Sequence, residues 1–292
     1  MKRVIIFGYG QLGKELKYTS PSEIFLSIAD RSTVDITNKR QIEHYIDEVT
    51  PDVVINASAY TNVDKAESEV AQAYEVNYRG PENLALICRE KNIPILHYST
   101  DYVFDGLKTS PYIETDKTGP LGVYGDSKLR GEKAIRQAIK HHIIIRTSWL
   151  YSSFGNNFVK TILRLGKEKS ELSIVDDQIG CPTYARELAE TTWKIIEQLD
   201  KKNWGTYHYC SINNASKFEF ALKIINLAKA NSTVYENLVI SPASSTEYPM
   251  IARRPPNSSM KTDKIQAVFD LRISTWQKSL SRAIWLFTGN LN

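Results

Sequence analysis

The sequence predicts an α/β protein: a doubly wound parallel sheet with a smaller C-terminal α+β lobe. Three observations carry this. Short, nearly all-apolar runs alternate with helical stretches through the first half, as strands buried on both faces of a parallel sheet require. The first run ends in Gly8-Tyr9-Gly10-Gln11-Leu12-Gly13, a strand–turn–helix signature of the Rossmann type. After about Trp149 the elements shorten and are punctuated by Gly155-Asn156-Asn157, Gly180-Cys181-Pro182-Thr183, Gly205, Pro242 and Arg254-Pro255-Pro256.

Taken in order, Val4–Phe7 reads as the first strand, with a helix starting behind its glycines. Ile24–Ala29, Val53–Ala57, Ile93–Ser99 and His142–Thr147 are the next strands, and Asn38–Glu48, Ala66–Asn77, Gly80–Lys91 and Asp126–Lys140 the helices between them. This divides the chain into a dinucleotide-binding domain, 1–149, and a lobe for the second ligand, 150–292, with part of 185–199 free to pack back on the first domain. Ligands of such sheets sit beyond the carboxyl ends of the strands, and pockets between lobes are common substrate sites. The residues that follow each strand are therefore the ones to read.

Composition excludes several classes. Hydrophobic content of 42% and charged content of 24% are ordinary for a globular protein. A net charge of +4 is mild and scattered, with no stripe suited to nucleic acid. Cys88, Cys181 and Cys210 lie far apart without a Cys-x-x-Cys or a histidine cluster, which argues against zinc or a disulfide framework and fits a reducing compartment. Four strongly apolar residues before Gly8 are too few for a signal segment, and no run approaches membrane-spanning length. The expected location is cytoplasmic, with no nucleic-acid or membrane partner.

Glycines at 8, 10 and 13 let the chain bend sharply and approach a pyrophosphate, whose charge rests on unpaired helix N–H groups, with Gln11 and Leu12 counted among the cofactor-binding residues. Asp30 follows the second strand 17 positions after Gly13, where a carboxylate accepts hydrogen bonds from an adenosine ribose. Its neighbour Arg31 suits a 2′-phosphate, so NADPH and NADH both stay open, and Asp35-Ile36 falls beside the adenine ring. The small residues of Asn56-Ala57-Ser58-Ala59-Tyr60-Thr61 fit either close approach to the dinucleotide or a packed strand end. Tyr124-Gly125-Asp126-Ser127-Lys128 sets an ammonium one helical turn beyond a phenol. Among 16 tyrosines and 23 lysines about one such pair arises by chance, so its context decides. Held beside Tyr124, Lys128 is expected to lower the phenol from its usual value near 10 and make proton exchange feasible near neutral pH. Thr100, in Ser99-Thr100-Asp101-Tyr102, is positioned to hydrogen-bond both a substrate oxygen and that phenol. Trp149, after Arg146-Thr147-Ser148, is either a core residue or a flat face for a sugar or base.

With these residues in place the chain resembles, over nearly its whole length, the dTDP-4-dehydrorhamnose reductases of the extended short-chain dehydrogenase/reductase superfamily. The resemblance rests on Gly10–Gly13, Val63-Asp64-Lys65-Ala66-Glu67, Ser99–Phe104, Val123-Tyr124-Gly125 and Lys128–Glu132. More specific are Arg146–Tyr151, Gly155–Lys160, Asp177–Thr183 and Arg254–Ser258. It implies reduction of the C4 ketone of dTDP-4-dehydro-β-L-rhamnose to dTDP-L-rhamnose by NADPH or NADH. It further implies Tyr124 as the acid, Lys128 on the nicotinamide ribose and Thr100 assisting. Asp101 and Trp149 would touch the deoxysugar, and Ala59, Tyr60, Thr61 and Tyr98 would line the dinucleotide. Two departures matter. Relatives often have Gly-x-x-Gly-x-x-Gly, one residue longer than here, which puts the contact of Gly8 in question. Some relatives form homodimers around a magnesium held by glutamates; Glu15 matches, but Arg186 stands where another glutamate aligns, with Glu187 beside it, so no metal is expected. Dehydratases of the superfamily carry Thr-Asp-Glu where this chain has Thr100-Asp101-Tyr102, and a regulatory subunit of the same fold is the reading from another class.

Overall fold

A computed structural model describes residues 1–199, 203–248 and 250–288. Six parallel strands form the central sheet: β1 (Lys2–Phe7), β2 (Ile24–Ala29), β3 (Val53–Asn56), β4 (Ile95–Thr100), β5 (His142–Thr147) and β6 (Gly205–His208), in the order β6-β5-β4-β3-β1-β2. Successive residues of a strand point to opposite faces, and here both faces are covered. Val4 and Ile6 of β1, Val53 and Ile55 of β3, and Ile143 and Ile145 of β5 join one apolar layer, while Ile5, Phe7, Val54 and Ile144 join the other. That two-sided burial is why these strands are continuously apolar.

Helices α1 (Gln11–Tyr18), α2 (Lys39–Val49), α3 (Gly80–Glu90), α4 (Val123–Ala138), α5 (Phe158–Glu168), α6 (Ala185–Glu197), α7 (Lys217–Lys229), α8 (Asp263–Phe269) and α9 (Trp276–Thr288) complete the frame. Apolar residues of α1, α6 and α8 cover one face of the sheet, and those of α2, α3 and α4 the other. A separate core holds α5, α7 and α9 together over a small parallel pair, Glu171–Val175 with Val239–Ala243. Among the described residues no helix is long and apolar enough to cross a membrane.

Four expectations are corrected. The stretch read as one helix, Ala66–Asn77, is two short helices, Val63–Ala66 and Val70–Tyr74, followed by a π-helical turn, Glu75–Arg79, that runs into α3. The wider turn accompanies an inward-facing, fully buried Asn77 that is hydrogen-bonded to Tyr60 and Ser127. Helix α4 starts at Val123, which brings Tyr124 into its first turn; Glu67 Oε1 accepts the otherwise unpaired Val123 N–H at 2.8 Å. The fourth strand begins at Ile95, after Pro94, and reaches Thr100. Finally, residues 205–208, counted with the second lobe, extend the main sheet beside β5, and α8 lies on the same face as α6. Gly-Thr-Tyr-His at a sheet edge has no apolar run to announce it, and its pairing partner lies about sixty residues away in the chain.

Candidate active site

A cleft of about 1310 Å³ opens beyond the carboxyl ends of the strands. Pockets for a single drug-sized ligand span roughly 300–1,000 Å³, so this cleft is larger than one such ligand requires. Its walls come from the turns after β1 to β5 and from Lys217 at the start of α7.

At one end the glycines have three different jobs. Gly8 has a φ of +99°, and a Cβ there would lie 2.6 Å from the Ser58 nitrogen. Gly10 caps α1 without any side-chain acceptor, a Cβ there would meet nothing within 4 Å, and the start of the helix borders the cleft. Gly13 does not line the cleft: its missing Cβ would sit 2.1 Å from the Gly8 carbonyl oxygen, so it lets the helix pack on the turn. Gln11 and Leu12 border the opening. Asp30 Oδ1 accepts from the backbone and hydroxyl of both Ser32 and Thr33 at 2.6–3.2 Å, and these bonds, those of Ser32 foremost, hold its carboxyl below the usual range. The carboxylate thereby fixes the turn that carries exposed Arg31 at the cleft edge. Asp35 Oδ1 closes a similar turn onto Thr37, and Ile36 packs against Gly80 while bordering the cleft.

The segment after β3 divides between its two readings. Asn56 is fully buried and accepts the Ser58 N–H at 3.0 Å, whereas Ala57 to Thr61 line the cleft. Asn77 grips this loop by both backbone groups of Tyr60, at 2.9 and 3.0 Å, and reaches Ser127 Oγ on α4 at 3.1 Å. The Tyr60 phenol turns to Glu69 at 2.6 Å.

Thr100, Tyr124 and Lys128 converge on the floor. Thr100 Oγ1 donates to Asp101 Oδ1 at 3.0 Å and accepts the Tyr102 N–H at 3.2 Å. Tyr124 meets Tyr102 edge-to-face at 5.7 Å. Lys128 is 2% exposed; its Nζ donates to the Tyr98 carbonyl at 2.6 Å and lies 3.4 Å from His97 Nε2. The expected lowering of Tyr124 is not found. Burial pushes its hydroxyl up to about 12, with Asp101 adding to the rise and Thr100 opposing it. Lys128 is itself brought down to about 8 by burial, and its amine is anchored to Tyr98. Desolvation therefore sets the phenol, and Lys128 is not among the groups that shift it. Tyr98 borders the cleft, but its hydroxyl is bonded to Thr192 at 2.6 Å, away from any ligand. Asp101 is pushed up to about 6 by burial, against hydrogen bonds from Ser258 and Thr100 and the charge of Lys217.

Trp149 packs in the second lobe and also borders the cleft. It leaves β5 at a φ of +43°, rare for a bulky residue, and borders the cleft while packing near Phe220 and Gly180. The ammonium of Lys217 lies 3.3 Å from its ring centroid.

Sequence reading missed Lys217, Asn77 and an ionic network under the floor. Fully buried Glu132 binds Arg146 through both carboxylate oxygens at 2.9 and 2.8 Å, and also takes Ser99 Oγ at 2.6 Å and Arg136 at 2.9 Å. Despite burial, these partners hold its carboxyl down at about 2. Its place four residues after Lys128 on α4 was the available signal; the partners on β4 and β5 were not visible. Glu15 is fully buried too, accepting from Ser152 at 2.6 Å and Arg186 at 2.9 Å, while Glu187 binds Ser279 and Arg282. A guanidinium thus neutralises Glu15, and these residues do not fit a magnesium ion; among the described residues no three His, Cys, Asp or Glu side chains group for a metal.

The RmlD substrate binding domain family model matches residues 1–288. A dTDP-4-dehydrorhamnose reductase from Aggregatibacter actinomycetemcomitans is 42% identical, over 96% of this chain and 97% of its own. The crystal structure of a dTDP-4-dehydrorhamnose reductase from Clostridium acetobutylicum is 36% identical with a TM-score of 0.91, covering 97% of this chain and 99% of that one. One from Bacillus anthracis, in complex with NADP, is 38% identical with a TM-score of 0.90 and the same coverage. With the parallel sheet, the glycine turn and the Thr100–Tyr124–Lys128 floor, these likenesses assign the chain to the RmlD substrate binding domain family, that of the dTDP-4-dehydrorhamnose reductases.

Proposed function

We propose that this chain is an NAD(P)H-dependent oxidoreductase that reduces the C4 ketone of dTDP-4-dehydro-β-L-rhamnose to dTDP-L-rhamnose, with Tyr124 as proton donor. The observation that carries the reading is the convergence of Thr100, Tyr124 and Lys128 on one cleft floor beside an open glycine turn. The names of the relatives and the NADP bound to the Bacillus anthracis neighbour support it.

The residues fit a dinucleotide. Gly10 leaves the room a pyrophosphate needs, with uncapped N–H groups of α1 behind it. Asp30 and Arg31 would meet the adenosine ribose and its 2′ substituent, Asp35 and Ile36 the adenine, and Ala59 to Thr61 the middle of the molecule. Both NADPH and NADH are accepted on this reading. When bound, the nicotinamide supplies hydride to the ketone carbon.

The chain's own side chains do the rest. The hydroxyls of Thr100 and Tyr124 hold the ketone oxygen, and Tyr124 gives its proton to that oxygen as negative charge develops there. A phenol held up at about 12 is protonated throughout the neutral range, which suits a donor. Lys128, fixed by the Tyr98 carbonyl, would hydrogen-bond the nicotinamide ribose. Asp101 and Trp149 contact the deoxysugar. Residues 1–149 serve mainly the dinucleotide and 150–292 the nucleotide sugar. Three free cysteines suit a reducing, cytoplasmic setting, and the reading admits a homodimer.

Product analysis tests the reading. Purified protein is supplied with dTDP-4-keto-6-deoxyglucose, a 3,5-epimerase and NADPH or NADH. Appearance of dTDP-L-rhamnose is expected; oxidation of the cofactor with a different sugar formed, or none, overturns it.

A further inference from the structure

The second-lobe wall of the cleft carries an amine that the steps above leave unused. Lys217 is the first residue of α7, and its backbone is tied down on every side. Ser216 Oγ takes the Glu219 N–H at 3.0 Å, Glu219 Oε2 takes the Ser216 N–H at 2.8 Å, and the Lys217 N–H donates to the Gln178 carbonyl at 3.2 Å. From this rigid point the side chain reaches the cleft and lays its ammonium 3.3 Å from the Trp149 centroid and 4.8 Å from that of Phe158. Aromatic faces attract a cation but leave its N–H groups without ordinary acceptors. Among the described residues no oxygen takes a hydrogen bond from it, although the Asp101 carboxylate attracts it and Arg254 repels it. Arg254 stands nearby with a second unmet donor: its Nη2 binds Asp64 at 2.7 Å, while buried Nη1 has no partner.

Thr100 donates to Asp101, and the Asp101 carboxylate in turn attracts the Lys217 ammonium. On a pyranose ring C1 and C4 lie at opposite ends. A sugar whose ketone meets Thr100 and Tyr124 therefore directs its C1 substituent past Asp101, toward the second-lobe wall. In a nucleotide sugar that substituent is a diphosphate, and a lysine ammonium is a compact point charge suited to phosphate oxygens.

We propose that Lys217 is a substrate-binding residue that grips the diphosphate of the nucleotide sugar, with Arg254 as the second cation. The proposal rests on the nucleotide-sugar reading above. Burial brings the free amine down to about 7, so an arriving anion secures its charge. It also changes the role of Trp149, whose ring steers the amine as well as bordering the sugar.

Calorimetric titrations with NADP present test this. Wild type, Lys217→Met, Lys217→Arg and Arg254→Met are each titrated with dTDP, UDP and GDP and with the matching nucleosides. For the diphosphate that wild type binds best, Lys217→Met is expected to lose about ten- to a hundredfold in affinity. Its nucleoside affinity should not change, and Lys217→Arg should recover most of the loss. In turnover, KM for the nucleotide sugar should rise by a similar factor, with kcat and NADPH affinity retained. Unchanged diphosphate affinity in Lys217→Met overturns the proposal, as does an equal loss for diphosphate and nucleoside. Preference for another base would refute the dTDP reading and leave the subsite standing. Failure of wild type to bind any nucleoside diphosphate would refute both.

Discussion

Replacing Tyr124 with Phe removes one oxygen and keeps the ring that packs edge-on to Tyr102 at 5.7 Å. Lys128 keeps its bond to the Tyr98 carbonyl, and the Glu132 network below is untouched, so the perturbation isolates the proton. With the hydroxyl at about 12, on the order of one molecule in 10⁵ is a phenolate at pH 7, so the resting protein holds the proton ready. General acids contribute roughly 10²–10⁴-fold to turnover. Thr100 is an aliphatic alcohol and a far weaker acid than a phenol, so little rescue is expected and the loss should fall in the upper half, about 10³–10⁴-fold. That corresponds to about 4–5.5 kcal/mol at ~1.36 kcal/mol per tenfold. The assay follows NADPH absorbance for kcat with the keto nucleotide sugar, and nicotinamide fluorescence for cofactor affinity, which should stay near wild type. The sign of the pH dependence follows from the raised pKa: an acid must be protonated to act, so the Tyr124 limb of kcat/KM, which reports the free enzyme, lies far above neutrality. An alkaline limb near 8 would belong to Lys128 and appear in the KM for the cofactor. A variant within tenfold of wild-type kcat, making the same product, would refute the assignment of Tyr124.

Gly10→Ala should melt as wild type does, within about 0.5 kcal/mol, because its Cβ meets nothing, yet bind NADPH at least about tenfold more weakly. Gly8→Ala should fail to fold stably, and wild-type cofactor affinity in Gly10→Ala would remove that residue from the pyrophosphate cradle. Glu132→Gln should cost about 3–5 kcal/mol in urea denaturation, since it leaves the buried Arg146 charge uncompensated. Because the Glu132 carboxyl is depressed in the fold, its contribution is full above its ordinary 4.5 and is lost as pH falls toward about 2; an identical acid-unfolding profile in the variant would contradict this. Arg31→Ala should raise KM for NADPH more than for NADH, and equal changes would exclude Arg31 from the 2′-phosphate.

Most of the sheet was legible because its chemistry is local. Strand stretches covered on both faces must be continuously apolar, and residues 4–7 of β1, 53–55 of β3 and 143–145 of β5 show it directly. The glycine turn could be read for the same reason, since Gly8 takes a positive φ and the missing Cβ of Gly13 would meet the Gly8 carbonyl only five residues back. What stayed hidden depends on partners distant in the chain. β6 is a strand because β5 offers it a ladder, and the stretch read as a helix at 66–77 widens into a π-helical turn where buried Asn77 ties the β3 loop to α4. The site divides the same way. Which residues follow each strand, and so reach the cleft, was determined by sequence alone. The electrostatic state of Tyr124 was decided by tertiary burial, which raised a phenol that a neighbouring lysine was expected to lower. Lys217 is an ordinary first-turn lysine in the sequence. It becomes a cation in the cleft because folding turns α7 toward Trp149, and desolvation and charge pairing depend on the completed three-dimensional surroundings rather than on neighbours along the chain.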